Sequence, residues 1–195
     1  ITTENDMNIK LTEQCSNNGN KIMKYYMKNC FVSQKKLWNC GVASLVAVFM
    51  YCGSILNKQN DINDNKDNNE DNAGFNSLMN VINQDYIYKN YIKKNISISS
   101  GISMIQLVQM IQCIISEFNL PLKVSYVKTK NVNTLKSNFI NDLKFLKQLM
   151  DSEHNDFESI KDFPIFGLII NYRRYLNGNN WGHYSPLINV TNDLK

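Results

Sequence analysis

An α+β fold is the architecture this sequence predicts, and three observations predict it. Apolar residues at helical spacing fill much of the first three quarters of the chain, and two strand-like runs joined by a turn-rich link stand near its end, so that helices come early and strands late. With 195 residues, 43% of them hydrophobic and 11% aromatic, the chain suits one compact domain, 1–195, built around one core.

Residues 1–20 are polar and carry no periodic signal. Over 21–30, KIMKYYMKNC, the spacing of Ile22, Tyr25, Tyr26 and Met27 predicts a short helix. Beyond the loop 31–39 the run from Cys40 to Tyr51, Ala- and Leu-containing and free of Pro, predicts a second helix with Asn39 as N-cap and Gly53 as its stop. Residues 57–72, NKQNDINDNKDNNEDN, hold seven Asn and four Asp among sixteen positions, too polar to bury a face, and predict a disordered, dispensable insertion. SISSGISMIQLVQMIQCIISEFNLP, residues 97–121, predicts a Ser-capped helix with Ile102, Ile105, Leu107, Val108, Ile111 and Ile115 largely inward, closed before Pro121. LKVSYVK, 122–128, follows as a strand. Leu135, Phe139, Leu143, Leu146 and Met150 predict an amphipathic helix over 131–150, and 151–162 is an acidic, exposed connection. Finally FPIFGLIINYRRYL (163–176) and WGHYSPLINV (181–190) predict two antiparallel strands joined by NGNN.

The formal charge of +4 comes from 21 basic and 17 acidic residues spread along the chain, with no Arg-rich run or basic stripe, so no nucleic-acid partner is expected. No apolar stretch approaches the roughly 20 residues that span a bilayer. ITTENDMNIKLTEQ also lacks the basic-then-apolar order of a signal peptide, and no membrane partner is expected. The start at Ile1 and the end after VTNDLK predict a piece of a longer protein. The five cysteines, Cys15, Cys30, Cys40, Cys52 and Cys113, are irregularly spaced without a CxxC pair. That pattern argues against a disulfide framework or a thiolate zinc site and fits free thiols in a reducing, cytoplasmic setting.

Of the two histidines, His154 stands among charged neighbours in DSEHNDFES and reads as solvated. His183 follows Gly182 at the head of an apolar strand, beside Trp181 and Tyr184, whose rings could exclude water; a lone strand histidine is more often structural than catalytic. Cys40 also has two readings. A free thiol packs as a small hydrophobe, which suits the head of an apolar helix. The unpaired N–H groups and macrodipole of that helix would instead favour a thiolate nucleophile, with Gly41 leaving room for a substrate backbone. A cysteine early on a helix and a histidine late on a strand is the arrangement that recurs in papain-like enzymes, where thiol and imidazole pair across a cleft.

WNCGVASLVAVF resembles the nucleophile segment of phytochelatin synthases, CGLASL followed by an apolar helix. NYRRYLNGNNWGHYSPL resembles that family's histidine segment: a strand with Tyr and Arg, a glycine-containing loop, then GHFSP and a small or aliphatic residue. Gln34, six positions before Cys40, stands where the family has the glutamine of its oxyanion hole, and GISMIQLVQMIQC resembles its GI helix, with a cysteine at the place of Cys113. The resemblance spans roughly residues 30–56 and 97–190.

It implies a papain-like fold, with the nucleophile on a central helix of a helical N-terminal half and an antiparallel sheet in the C-terminal half. It also implies a γ-glutamylcysteine transferase of the kind used in metal detoxification. Cys40 would attack the Cys–Gly bond of glutathione, His183 would protonate the departing glycine, and Gln34 would help hold the oxyanion. A second glutathione would then take γ-Glu-Cys from the thioester. Cd²⁺ or Zn²⁺ would act through the substrate thiolate, with no tightly bound cofactor and no fixed metal site. The family's Tyr-x-Arg strand matches Arg174 from Tyr172 and Arg173 when counted back from His183; such a guanidinium either binds a glutathione carboxylate or is simply solvated. Gly41 and Gly182 are the remaining expected substrate-binding positions. The third catalytic member, an aspartate about eighteen residues past the histidine in the family, would fall beyond Lys195, so either the domain continues past it or the chain is a degenerate relative. The family's Trp-rich segment after the nucleophile helix has no counterpart here. Two other readings stay open: a thiol hydrolase that gives the same acyl-enzyme to water, and a non-catalytic domain that keeps the core as a binding scaffold.

Overall fold

The structure, a computed structural model, describes residues 24–35, 39–62, 70–92, 101–127, 131–151, 167–176 and 179–187. Its helices and one two-stranded antiparallel sheet make the mixed α+β arrangement that the sequence predicts at that level. Residues 24–29 are helical, within the first predicted helix, and bury Tyr26.

Helix α1, Cys40–Ile62, organises the rest. The Asn39 carbonyl accepts the Ala43 N–H at 2.8 Å to open it. Every residue from Gly41 to Ala47 is buried, and farther along Phe49, Cys52 and Ile55 are at most 3% exposed, so the helix is covered on all sides rather than along one stripe. Cys40–Asn57 is in fact long and apolar enough to cross a membrane, contrary to the sequence expectation, but most of that stretch lies inside the domain, where its apolarity builds the core.

Gly53 does not stop α1; it is where α2, Glu70–Val81, crosses. A Cβ at Gly53 would lie 2.8 Å from Met79 Sδ and 3.2 Å from Phe75 Cδ1. Because α1 runs on to Ile62 and α2 begins at Glu70, both flanks of the expected disordered insertion, 57–72, are helical. Its middle, 63–69, lies outside the described residues. A helix already nucleated on a buried core propagates through Lys and Gln at little cost, which a reading of polarity alone overlooks.

Helix α2 buries Phe75 and Leu78, and Ile82 follows them inward. Asn83 then caps α3, Gln84–Ile87, its side-chain oxygen accepting the Tyr86 N–H at 2.8 Å. The chain continues as a π-turn, Tyr88–Ile92, and Ile87, which ends α3, and Ile92, which ends the turn, are both buried. Five-residue spacing suits the i→i+5 bonding of a π-turn. Helix α4, Met104–Glu117, opens with a complete capping box between Ser103 and Gln106, as its predicted serine cap requires. Leu107, Val108, Met110 and Ile114 face the core, while Ile105, expected inward, is 47% exposed. Residues 122–127, expected as a strand, join no ladder among the described residues, and Tyr126 and Val127 are exposed. Asn131 accepts the N–H groups of Asn133 and Thr134 at the start of α5, Val132–Asp151, which buries Leu143 and leaves Phe139 exposed.

Strands β1, Leu168–Leu176, and β2, Asn179–Leu187, pair antiparallel with Leu168 opposite Leu187, Tyr172 opposite His183 and Leu176 opposite Asn179. Asn179 and Asn180, assigned to the link by sequence, therefore belong to β2. The hairpin lies on α1. Ile169 packs on the core, Tyr184 is 6% exposed, and a Cβ at Gly167 would sit 2.1 Å from Val48 Cγ1.

Gly74 supplies the sharpest packing test. A Cβ there would lie 1.9 Å from the Phe118 carbonyl oxygen, part of the backbone that ends α4. Gly74→Ala is expected to destabilise by about 2 kcal/mol or more in urea titration, although Ala gains about 1 kcal/mol in helix propensity. Gly53→Ala loses less, because the Met79 thioether can swing aside. Gly182→Ala, where among the described residues a Cβ meets only Asn171 Oδ1 at 4.0 Å, stays within about 0.5 kcal/mol of the parent.

Candidate active site

Cys40 is the first residue of α1 and is half-buried. Among the described thiols, Cys30 and Cys52 are fully enclosed and Cys113 is exposed on α4. Burial pushes Cys30 up to about 11, partly opposed by a hydrogen bond with Ser54. Cys52 is pushed up to about 12, again mainly by burial and further by Cys30 nearby. Neither supplies a nucleophile near neutral pH.

Strand β2 meets the head of α1 through Tyr184. A Cβ on Gly41 would lie 3.3 Å from Cδ2 of the Tyr184 ring, so Gly41 is where backbone and aromatic ring approach closely. Burial, and secondarily the adjacent Cys40 thiol, push the Tyr184 phenol above its ordinary range. The contact brings Cys40 and His183 onto touching elements, each one residue from the touching pair. The alternation of β2 gives Tyr184 the face over Gly41 and His183 the other face, beside its ladder partner Tyr172. The Tyr172 and His183 rings meet edge-on with centroids 5.5 Å apart, and the Tyr172 hydroxyl lies 3.2 Å from Ser185 Oγ.

Gln34 ends the irregular segment 31–34 and is half-buried. The residues on either side of it are held by one side chain. Gln84, 4% exposed, accepts the Lys35 N–H at 3.1 Å through Oε1 and donates Nε2–H to the Ser33 carbonyl at 2.7 Å. The Lys35 ammonium pairs with Asp85 at the surface.

Of the expected substrate-binding positions, Gly41 is buried under Tyr184 and Gly182 is exposed beside His183. The register pairs position 174 with 181 and position 173 with 182, which sets position 174 on the same face of the ladder as 172 and 183. The side chains of Arg173 and Arg174, and residue His154, lie outside the described part of the structure. Among the described residues no group of three or more His, Cys, Asp or Glu gathers as metal ligands would. Sequence reasoning missed Gln84, the ring contact of Tyr172 with His183 and the contact of Tyr184 with Gly41. Asn83 as a cap and Asp85 in a first helical turn were readable signals for α3, but nothing local points from Gln84 to the Gln34 segment.

No protein-family model matches this chain, no curated protein matches it, and no solved structure matches it.

The thiol environments predict a labelling pattern. In the native protein at pH 8, iodoacetamide followed by peptide mass mapping modifies Cys40 and Cys113 and spares Cys30 and Cys52 until denaturant is added. Modification of Cys52 with Cys40 left intact would identify a different reactive thiol. The raised values of Cys30 and Cys52 also set a pH dependence. The folded state holds these protons more tightly than the unfolded chain does, so their contribution is complete below about pH 8.5 and is lost as pH rises toward 11 and 12, at up to about 1.4 kcal/mol per pH unit per thiol. Urea midpoints measured from pH 8 to 10.5 should fall, and fall less steeply in Cys52→Ala.

Proposed function

We propose that this chain is a papain-like acyltransferase, similar to phytochelatin synthases, that takes γ-Glu-Cys from glutathione as a thioester on Cys40. The observation that supports it best is the Gly41–Tyr184 contact, which sets the strand carrying His183 against the head of the helix carrying Cys40. A half-buried thiol at the head of a helix, a histidine on the adjoining strand and a held glutamine six positions before the thiol are the parts such chemistry needs.

In this reading the Cys40 thiolate attacks the carbonyl carbon of the Cys–Gly bond. The Gln34 amide and a backbone N–H at the helix head stabilise the oxyanion. The C–N bond breaks as His183 gives its proton to the glycine amine, and the γ-glutamylcysteinyl thioester remains. The free amine of a second glutathione, deprotonated by His183, then attacks the thioester and restores the Cys40 thiolate. Cd²⁺ or Zn²⁺ enters as part of the acceptor, bound to its thiol. Tyr172, edge-on to the imidazole, steadies its orientation. Arg174, the position the Tyr-x-Arg match gives, is the candidate partner for a substrate carboxylate.

Incubation with glutathione and Cd²⁺, read by mass spectrometry, tests the proposal. Free glycine and peptides lengthened by γ-Glu-Cys are expected, with both lost in Cys40→Ala. Gln34→Ala should slow glycine release by about 10²-fold. Glycine without longer peptides would assign the acyl-enzyme to hydrolysis. Neither product would overturn the enzymatic reading and favour a scaffold.

A further inference from the structure

We infer that Gln84 is a positioning residue for the oxyanion site, holding the backbone of Gln34 in the conformation that directs its side-chain amide toward the carbonyl attacked by Cys40. This deepens the transferase reading and rests on it.

The geometry is specific. Gln84 begins α3, about fifty positions from the segment it binds, and is buried with both amide atoms used. Its Oε1 takes the Lys35 N–H and its Nε2 gives to the Ser33 carbonyl. The ring closed by these two bonds runs through the Ser33 carbonyl, the nitrogen and Cα of Gln34, and the Lys35 amide. It therefore contains φ and ψ of Gln34, the two soft dihedrals of that residue. A side-chain amide here does what a neighbouring strand does for an extended chain, and it does so around one residue only. Because the direction of Cβ follows from φ and ψ, Gln84 sets where the Gln34 side chain starts, while its own two bonds engage backbone alone. Oxyanion donors act by being in place before charge develops, so a restraint of this kind acts on the transition state more than on substrate binding. The Lys35–Asp85 pair ties the same segment to α3 from outside, in solvent, where it adds little.

Gln84→Glu isolates the effect. It keeps size and the acceptor for Lys35 N–H, but as a carboxylate it loses the donor and faces the Ser33 carbonyl with negative charge. With glutathione and Cd²⁺ at pH 8, kcat for glycine release should fall about tenfold or more while KM for glutathione changes less than about twofold. The ratio of variant to parent kcat should climb as pH is lowered, because the introduced carboxyl regains an O–H donor once protonated. Introduced into Gln34→Ala, the same change should lower kcat by less than about twofold, since the group it positions is already gone. If Gln84→Glu fails to fold, Gln84→Met, neutral and of similar length, is read by the same KM–kcat split and the same test in Gln34→Ala. An unchanged kcat, or an equal loss with and without Gln34, overturns the positioning role and leaves the transferase intact. A parent protein that releases no glycine overturns the transferase reading, and the positioning role falls with it.

Discussion

The structure depends on covering α1. A helix with one apolar stripe can rest on a single neighbour, but a helix buried on every side from Gly41 to Ala47 is stable only when other elements enclose it. Each fully buried Leu, Ile or Phe along it contributes about 1.5–3 kcal/mol. Leu45, Phe49 and Ile55 gain that only if α2 crosses at Gly53 and the hairpin closes over Val48 and Gly41. Enclosure thus precedes chemistry in the logic of the fold. The thiol stands half-buried at the head of α1, and the strand that packs on that head is the strand that carries His183.

The same constraint explains which elements were legible. The core helix, the capped helix α4, the amphipathic α5 and the hairpin all announce themselves through periodicity or turn chemistry within a short window. Helices α2 and α3 were less legible: α2 grows out of an Asn- and Asp-rich stretch and buries few apolar residues, Phe75 and Leu78, and the four-residue α3 has signals only in its cap, Asn83, and its first turn, Asp85. What makes them helices is the groove they fill against α1. The residues 122–127 erred the other way: their composition favours a strand, yet β propensity needs a partner ladder to become a strand, and none of the described backbone offers one. Gly53 illustrates a third kind of failure. Glycine both ends helices and lets helices approach, and only the neighbour across the gap, Met79 and Phe75 here, decides which.

For the candidate site, residue type and order pointed to Cys40 and His183, because thiol and imidazole have distinct chemical uses, and Gln34 came from the family resemblance alone. Their surroundings were not legible. Which face of β2 meets α1 follows from register, and it brings Tyr184 rather than His183 over Gly41. The bonds from Gln84 join residues 49 and 51 positions apart through a side chain, and no local pattern encodes such a contact.

The Gly41–Tyr184 contact has a consequence for biosynthesis. A ribosome adds about 5–20 residues per second, and it completes α1 long before it reaches β2. For several seconds the head of α1 exists without the aromatic ring that later shields it, and Cys40 is then open to any oxidant or stray disulfide in its surroundings. A nascent chain of this design is chemically most vulnerable before it is finished, and its yield depends on the redox state of the compartment in which it is made.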